Sequence, residues 1–242
     1  MRADPGAAHA TNVGKTGRQG RLDEQGIWDA GTYDSWFGEP RGAELFRLEA
    51  HAVLHRLSPL QGLAVLEVGC GTGRFMKAVA SEGTAIVGVD ADPGMVCFAN
   101  RHGRGEVARA NAETLPFCDA CFDSTVAVTV LEFVNDVATA IEEMARVTRP
   151  GGRIVVGFLN PRSVWGLGLL RHRRQEPWRS AHFLQRQALF ALLARHGRAD
   201  ISGMPLSGGP VSALIRSRSG DLAELFGLER LYGFQVASCT KS

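Results

Sequence analysis

Ala64-Val65-Leu66-Glu67-Val68-Gly69-Cys70-Gly71-Thr72-Gly73-Arg74 is the stretch that decides the fold of this 242-residue chain. Five largely apolar residues run into three glycines at alternate positions, and Arg74–Ala80 then has helical character. That order reads as a buried strand, a tight loop and a helix. Glycines in such a loop permit positive φ and let a ligand approach the backbone closely. The helix that follows begins with unpaired N–H groups, which suit a nucleotide or a carboxylate. Taken alone, the spacing specifies only a nucleotide-like ligand.

Outward from the loop, strand and helix patterns alternate. Ala85–Val89 reads as a second buried strand, ended by Asp90. Pro93–Asn100 reads as a helix with Asp92 as its N-cap. Glu106–Ala110 and Asp123–Val130 are further strands, the latter rich in β-branched residues. Val137–Val147 is a helix stopped by Pro150-Gly151-Gly152, and Arg153–Phe158 is a fifth strand. Two late strands are expected near Ala199–Met204 and Leu231–Ser238, after a helix over Phe183–His196. The pattern predicts an α/β fold: a Rossmann-like, doubly wound, seven-stranded and mostly parallel sheet with helices on both faces and a small cap insertion. Ligands of such sheets bind beyond the carboxyl ends of the strands, at the switch point.

Upstream, residues 23–38 hold the aromatics Trp28, Tyr33, Trp36 and Phe37, and a helix is predicted over residues 40–57 from Pro40. Residues 1–22 read as a disordered tail without an apolar signal region. Gly14-Lys15-Thr16 is no phosphate loop, because His9 stands where the motif needs its first glycine. Residues 161–182 break the alternation and carry Trp165, Trp178 and the run Arg171-His172-Arg173-Arg174. The expected organisation is therefore one domain over 23–242, with an aromatic and helical lid at 23–58 and a cap insertion at 161–196.

Composition excludes several classes. Hydrophobic residues make up 45% and charged residues 21%, with a net charge of +2. That balance is globular and too mild to argue for nucleic acid. No stretch is apolar for long enough to span a membrane, although Val164–Leu170 followed by arginines could touch one peripherally. The five cysteines form no framework, so reduced thiols and a cytoplasmic location are expected, Cys118 and Cys121 included. No metal site is expected. The chain is expected to be a monomer or a homodimer.

Two further stretches carry chemistry. Asp90, ending the second strand, can accept both hydroxyls of a ribose. Asn111-Ala112-Glu113-Thr114-Leu115-Pro116-Phe117 follows the third strand, and the Asn111 amide can both donate to and accept from an adenine edge.

Together these residues resemble the class I S-adenosylmethionine-dependent methyltransferases. Val65–Gly73 is similar to their glycine motif and Gly88-Val89-Asp90 to their acidic motif. Asn111–Phe117, Asp123 and Arg149–Arg153 are similar to their later motifs. The likeness runs from about Leu63 to Phe158 and points to the methyltransferase type 11 group of small-molecule enzymes, of the ubiquinone and menaquinone biosynthesis kind. It implies S-adenosylmethionine as cofactor, S-adenosylhomocysteine as product, and in-line methyl transfer to a small acceptor. It implies that Glu67 approaches the methionine amino group while Gly69, Cys70, Gly71 and Gly73 run beneath the methionine and ribose. By the same likeness Asp90 holds the ribose, and Ala91, Met95, Asn111, Ala112, Glu113 and Val130 line the cofactor. Family members commonly have Asp where Asn111 stands. Tyr33–Phe37 is similar to a segment that closes over the cofactor in some members, which would place Tyr33 and Trp36 there.

Catalytic residues are less legible, since methyl transfer needs positioning more than a protein nucleophile. Glu132 is the first candidate for a base, although a surface or helix-entry carboxylate is its favoured reading; Tyr33 and His182 are weaker candidates. Asn160, Trp165 and Arg171 are candidates for acceptor contact. Two alternatives remain in view: a non-catalytic protein that binds the same cofactor, and a nicotinamide-dependent oxidoreductase. The latter's fingerprint wants glycine where Arg74 stands.

Overall fold

The computed structural model describes residues 29–161, 163, 179–204 and 233–242. The expected tail at 1–22, Trp28, Trp165, Arg171 with its basic run, and Trp178 lie outside the described residues.

The described chain runs α1 (Ala30–Trp36), α2 (Pro40–Leu57), β1 (Ala64–Val68), α3 (Arg74–Ala80), β2 (Ala85–Asp90), α4 (Pro93–Arg101) and β3 (Glu106–Arg109). It continues through β4 (Phe122–Val128), a 3-10 turn (Leu131–Phe133), α5 (Val137–Val147) and β5 (Thr148–Leu159). It then runs through α6 (Arg186–Ala194), β6 (Gly197–Met204) and β7 (Phe234–Lys241). The sheet has seven strands in the order β3-β2-β1-β4-β5-β7-β6. β1 to β5 are mutually parallel, and β7 lies antiparallel between β5 and β6. The chain winds outward from β1 to β3 and then returns to β4, so the switch point lies between the carboxyl ends of β1 and β4.

Side-chain alternation builds the two faces. Val65, Val126, Val155 and Val236 pack against Ala50, Val53, Leu57, Phe75 and Val79 of α2 and α3. Their neighbours Leu66, Ala127, Val156 and Ala237 pack against Ile141, Met144, Leu189 and Leu193 of α5 and α6. Each central strand is therefore covered on both sides, as its apolar run predicts.

The helix ends follow local chemistry. Asp92 caps α4 by accepting from the Gly94 and Met95 amides, and Asp136 caps α5 through Ala138 and Thr139. Lys241 Nζ donates to the carbonyls of Ala145 and Thr148, placing a cation at the α5 carboxyl end.

Several boundaries depart from expectation. β5 starts at Thr148, so Pro150-Gly151-Gly152 sits inside the strand rather than between helix and strand. The pairing of β4 with β5 breaks register between Phe122 and Ser124, and that bulge absorbs the proline. α6 covers only Arg186–Ala194, shorter than the expected 183–196. β4 ends at Val128, because Thr129 adopts φ +50°. The last strand begins at Phe234 rather than Leu231. Cys118 and Cys121, expected as free thiols, form a disulfide with their Cα atoms 5.7 Å apart. The turn between them, with Ala120 at φ +54°, brings the two Cβ atoms together.

Candidate functional site

The glycine loop is shaped by what lies on either side of it. The Gly69 and Cys70 amides both donate to the Val89 carbonyl, at 2.7 and 3.0 Å, which ties the loop to the end of β2. Gly69 has φ +72°, and a Cβ there would stand 2.1 Å from a Val130 methyl, so no other residue fits. Gly71 is open by contrast: a Cβ on it would meet nothing nearer than a Tyr33 ring carbon at 3.8 Å. Backbone is thus exposed to whatever lies between the loop and that ring.

Asp90 buttresses the loop from β2. Its Oδ2 accepts from the Gly71 amide and its Oδ1 from the Asp92 amide, both at 2.8 Å. Burial nonetheless raises its carboxyl above the usual range, with the Asp92 charge adding to the effect.

Glu67 sits on β1 on the face shared with Val65, only 2% exposed. Its Oε2 is buried with no hydrogen-bond partner among the described residues. Burial, reinforced by Asp90, pushes this carboxyl well above the ordinary range. An orphaned buried polar atom of this kind demands an explanation.

Together these groups line one cavity with Glu67, Gly69, Cys70 and Gly71 on its floor and Val128 and Thr129 at one side. Tyr33 and Phe37 from the α1 segment and Phe46, Glu49 and Ala50 from α2 close it. The aromatic rings brace one another edge to face, Tyr33 to Phe37 at 5.1 Å and Phe37 to Phe46 at 5.9 Å. Trp36, half-buried, packs on Phe37 at 4.8 Å. Burial and the carboxylates of Glu49, Asp90 and Glu67 raise the Tyr33 hydroxyl, so it stays protonated.

A charged latch holds α1 in place. Asp34 accepts from Arg74 Nε at 2.7 Å and from Arg104 Nη2 at 3.0 Å. The Arg74 guanidinium also lies 5.4 Å from the Phe37 ring centre. These contacts hold the Asp34 carboxyl well below the usual range against its burial. Gly73 lies under Arg104, whose Cβ is 2.9 Å from where a Gly73 Cβ would stand.

The Asn111 loop is held in a different way. Asn111 Oδ1 accepts from the Glu113 amide at 3.0 Å. Glu113 Oε1 accepts from the Asn135 and Asp136 amides, joining this loop to the segment after β4. Arg146 and Glu143 of α5 fix the remainder: Arg146 donates to the Leu115 and Phe117 carbonyls, and Glu143 accepts from the Leu115 amide. Ala112 and Met95 are buried, while Ala91 is exposed with its carbonyl bound to Arg109.

Glu132 is 1% exposed, which overturns the reading of a surface carboxylate. Its Oε1 accepts from the Leu159 amide at 2.8 Å, and its Oε2 is buried without a partner among the described residues. Burial lifts its carboxyl to about 7. His182 donates its backbone amide to the Glu132 carbonyl, so His182 is anchored through its main chain. Asn160 is buried at the carboxyl end of β5.

The sequence did not single out Glu49. Burial and the Glu132 charge raise its carboxyl to about 8. A signal existed, because Glu49 interrupts the apolar stripe Phe46, Ala50, Val53 and Leu57 of α2. The Asp34 latch left no trace, since its partners are 40 and 70 residues away.

Comparison with known proteins agrees with this geometry. Residues 66–156 match the family model described as a methyltransferase domain. An uncharacterized protein of Methanocaldococcus jannaschii is 32% identical over 171 residues, which cover 70% of this chain and 78% of that protein. An uncharacterized protein of Mycobacterium tuberculosis is 34% identical over 171 residues, 70% of this chain; the match spans only 58% of that longer protein. A solved structure from Thermotoga maritima, described as a SAM-dependent methyltransferase and possible histamine N-methyltransferase, superposes with a TM-score of 0.66 at 22% identity. It covers 88% of this chain and 96% of that one. With its glycine loop, seven-stranded sheet and these relatives, the chain belongs to the methyltransferase domain family.

Proposed function

We propose that this chain binds S-adenosylmethionine and transfers its methyl group to a small-molecule acceptor. The observation that carries the reading is the cavity itself: an open Gly71 backbone faces Tyr33, and Glu67 keeps a buried carboxyl oxygen unpartnered. That oxygen suits a ligand ammonium group. The bare glycine suits a ligand pressed flat against the loop. The residues present therefore fit the cofactor.

Bound there, S-adenosylmethionine supplies a methyl group made electrophilic by its sulfonium. The chain supplies binding and position. Glu67 takes the methionine ammonium, and the free lone pairs of Asp90 take the ribose hydroxyls. Asn111, Ala112 and Met95 border the adenine. Glu113, with its Oε1 on Asn135 and Asp136, positions that border. Val130 fixes Gly69 from below. The Tyr33 and Phe37 rings favour a neighbouring cation and exclude water. Tyr33, kept protonated, acts as a donor rather than a base. Glu132 and Asn160, buried at the ends of β4 and β5, lie on the acceptor side.

We further propose one domain over residues 23–242, with the lid at 23–58 and the cap at 161–196, acting in the cytoplasm as a monomer or homodimer without nucleic acid. No described helix is long and apolar enough to cross a membrane.

Calorimetric titration tests the reading. S-adenosylhomocysteine is expected to bind, and NAD is not. Tight NAD binding without S-adenosylhomocysteine binding would reverse the assignment. Cofactor binding with no methyl transfer to any small acceptor would favour a regulatory protein.

A further inference from the structure

We propose that the acceptor is a protonatable amine and that Glu49 receives its proton, an inference that rests on the methyl-transfer reading above. Glu49 projects from α2 into the same cavity as Glu67 and Gly71. No hydrogen bond or ion pair engages its carboxyl among the described residues. The other charged groups at the cavity wall or directly behind it already have partners or a role. Arg74 is committed to Asp34, and Asp90 to the Gly71 and Asp92 amides. Glu67 is reserved for the cofactor ammonium.

A second observation points the same way. Glu132 keeps its buried Oε2 unpartnered, and its charge reaches Glu49. A carboxyl group whose ionisation is disfavoured by burial and by a neighbouring carboxylate is relieved when a cation enters. An anionic acceptor gives the Glu49 carboxyl no such relief and disfavours its ionisation further. The Phe37 and Phe46 rings beside Glu49 complete the preference, since an ammonium is held by ring faces as well as by a carboxylate.

The chemistry follows from the placement. An ammonium has no lone pair with which to attack carbon. Its N–H proton passes to the Glu49 carboxylate. The freed lone pair then forms the N–C bond as the C–S bond of the sulfonium donor breaks, with its electron pair going to sulfur. The products are a methylated ammonium and a neutral thioether. Burial sets the Glu49 carboxyl at about 8, within reach of neutral pH for such an exchange. Among the described residues, Tyr33, Glu67, Cys70, Asp90, Arg74 and Glu132 are the other titratable groups that bear on this cavity.

The full chain, saturated with S-adenosylhomocysteine, is titrated calorimetrically with 2-phenylethylamine, 3-phenylpropan-1-ol and 3-phenylpropanoate. The amine is expected to bind at least tenfold more tightly than the alcohol, with the carboxylate weakest. Glu49→Gln, again saturated with S-adenosylhomocysteine at whatever concentration its own titration requires, is expected to erase the amine's advantage, to within threefold of the alcohol. Glu49→Asp is expected to restore part of the preference, which a merely structural role would not. Equal or tighter binding of the carboxylate, a preserved amine preference in Glu49→Gln, or no binding of any probe to the loaded protein overturns the proposal. Failure of S-adenosylhomocysteine itself to bind overturns the methyl-transfer reading, and this inference with it.

Discussion

Glu67 is a carboxyl group placed where a strand expects an apolar side chain. Its neighbours Val65 and Leu66 are fully buried, and its own burial keeps it protonated well above the ordinary carboxylate range. An arriving ammonium stabilises the charged form and displaces that proton. Binding of S-adenosylhomocysteine is therefore expected to release protons at neutral pH and to tighten as pH rises. Calorimetry in buffers of different ionisation enthalpy measures this directly, and heats independent of buffer would remove Glu67 from the amino-group site. Asp90 makes a second residue-level test. Asp90→Ala is expected to cost ~1.5–3 kcal/mol of cofactor affinity, the range for hydrogen bonds to a charged group. Unchanged affinity would exclude it. Asp90 stands out in the sequence because it ends a strand, and Glu67 through its place in the glycine motif. Glu49 does not, because a helix pattern shows which face is apolar but not what that face meets.

At the scale of elements, the least legible part of the site is the means by which α1 reaches the cavity. Its seven residues could not hold a place over the loop by helix propensity alone. Asp34 does so by gripping Arg74 and Arg104. Asp34→Ala leaves two guanidinium groups without their acceptor. The expected cost is about 1–2 kcal/mol, between that of an exposed pair and that of a fully buried one. The loss should appear locally, as faster amide exchange over residues 30–37 and weaker S-adenosylhomocysteine binding with the central strands still protected. Uniform loss of protection would mean that Asp34 serves the whole fold instead. The strands themselves were readable, since an apolar run ended by glycine or aspartate leaves little choice. Pro150 misled because a proline normally ends an element, and only the bulge against β4 lets β5 carry it. The Cys118–Cys121 pairing was hidden because a spacing does not reveal a turn.

For the molecule as a whole, the cavity carries a cost that pH exposes. Burial raises the Glu132 and Glu49 carboxyls to about 7 and about 8, against 4.5 for a free glutamate. The folded chain thus holds protons that the unfolded chain has lost. The stability they contribute is full below pH 4.5 and is lost as pH rises through about 7 and 8. Asp34 has the opposite sign but acts only at acid pH, below the carboxylate range. Thermal melting of the free protein is expected to fall between pH 5 and pH 8. A melting temperature that rises steadily over that interval would contradict the burial of these groups. Saturating S-adenosylhomocysteine raises it by mass action at every pH.

The position of β7 has a consequence for biosynthesis. β5 and β6 are not paired with each other; each pairs with β7, whose residues 234–241 leave the ribosome after both of them. Until those residues emerge, the nascent chain presents β5 as an open edge and β6 as a strand without a neighbour. Unpaired edges are where growing chains aggregate. A chaperone that shields apolar strands would find its client in the interval between the synthesis of Met204 and that of Phe234.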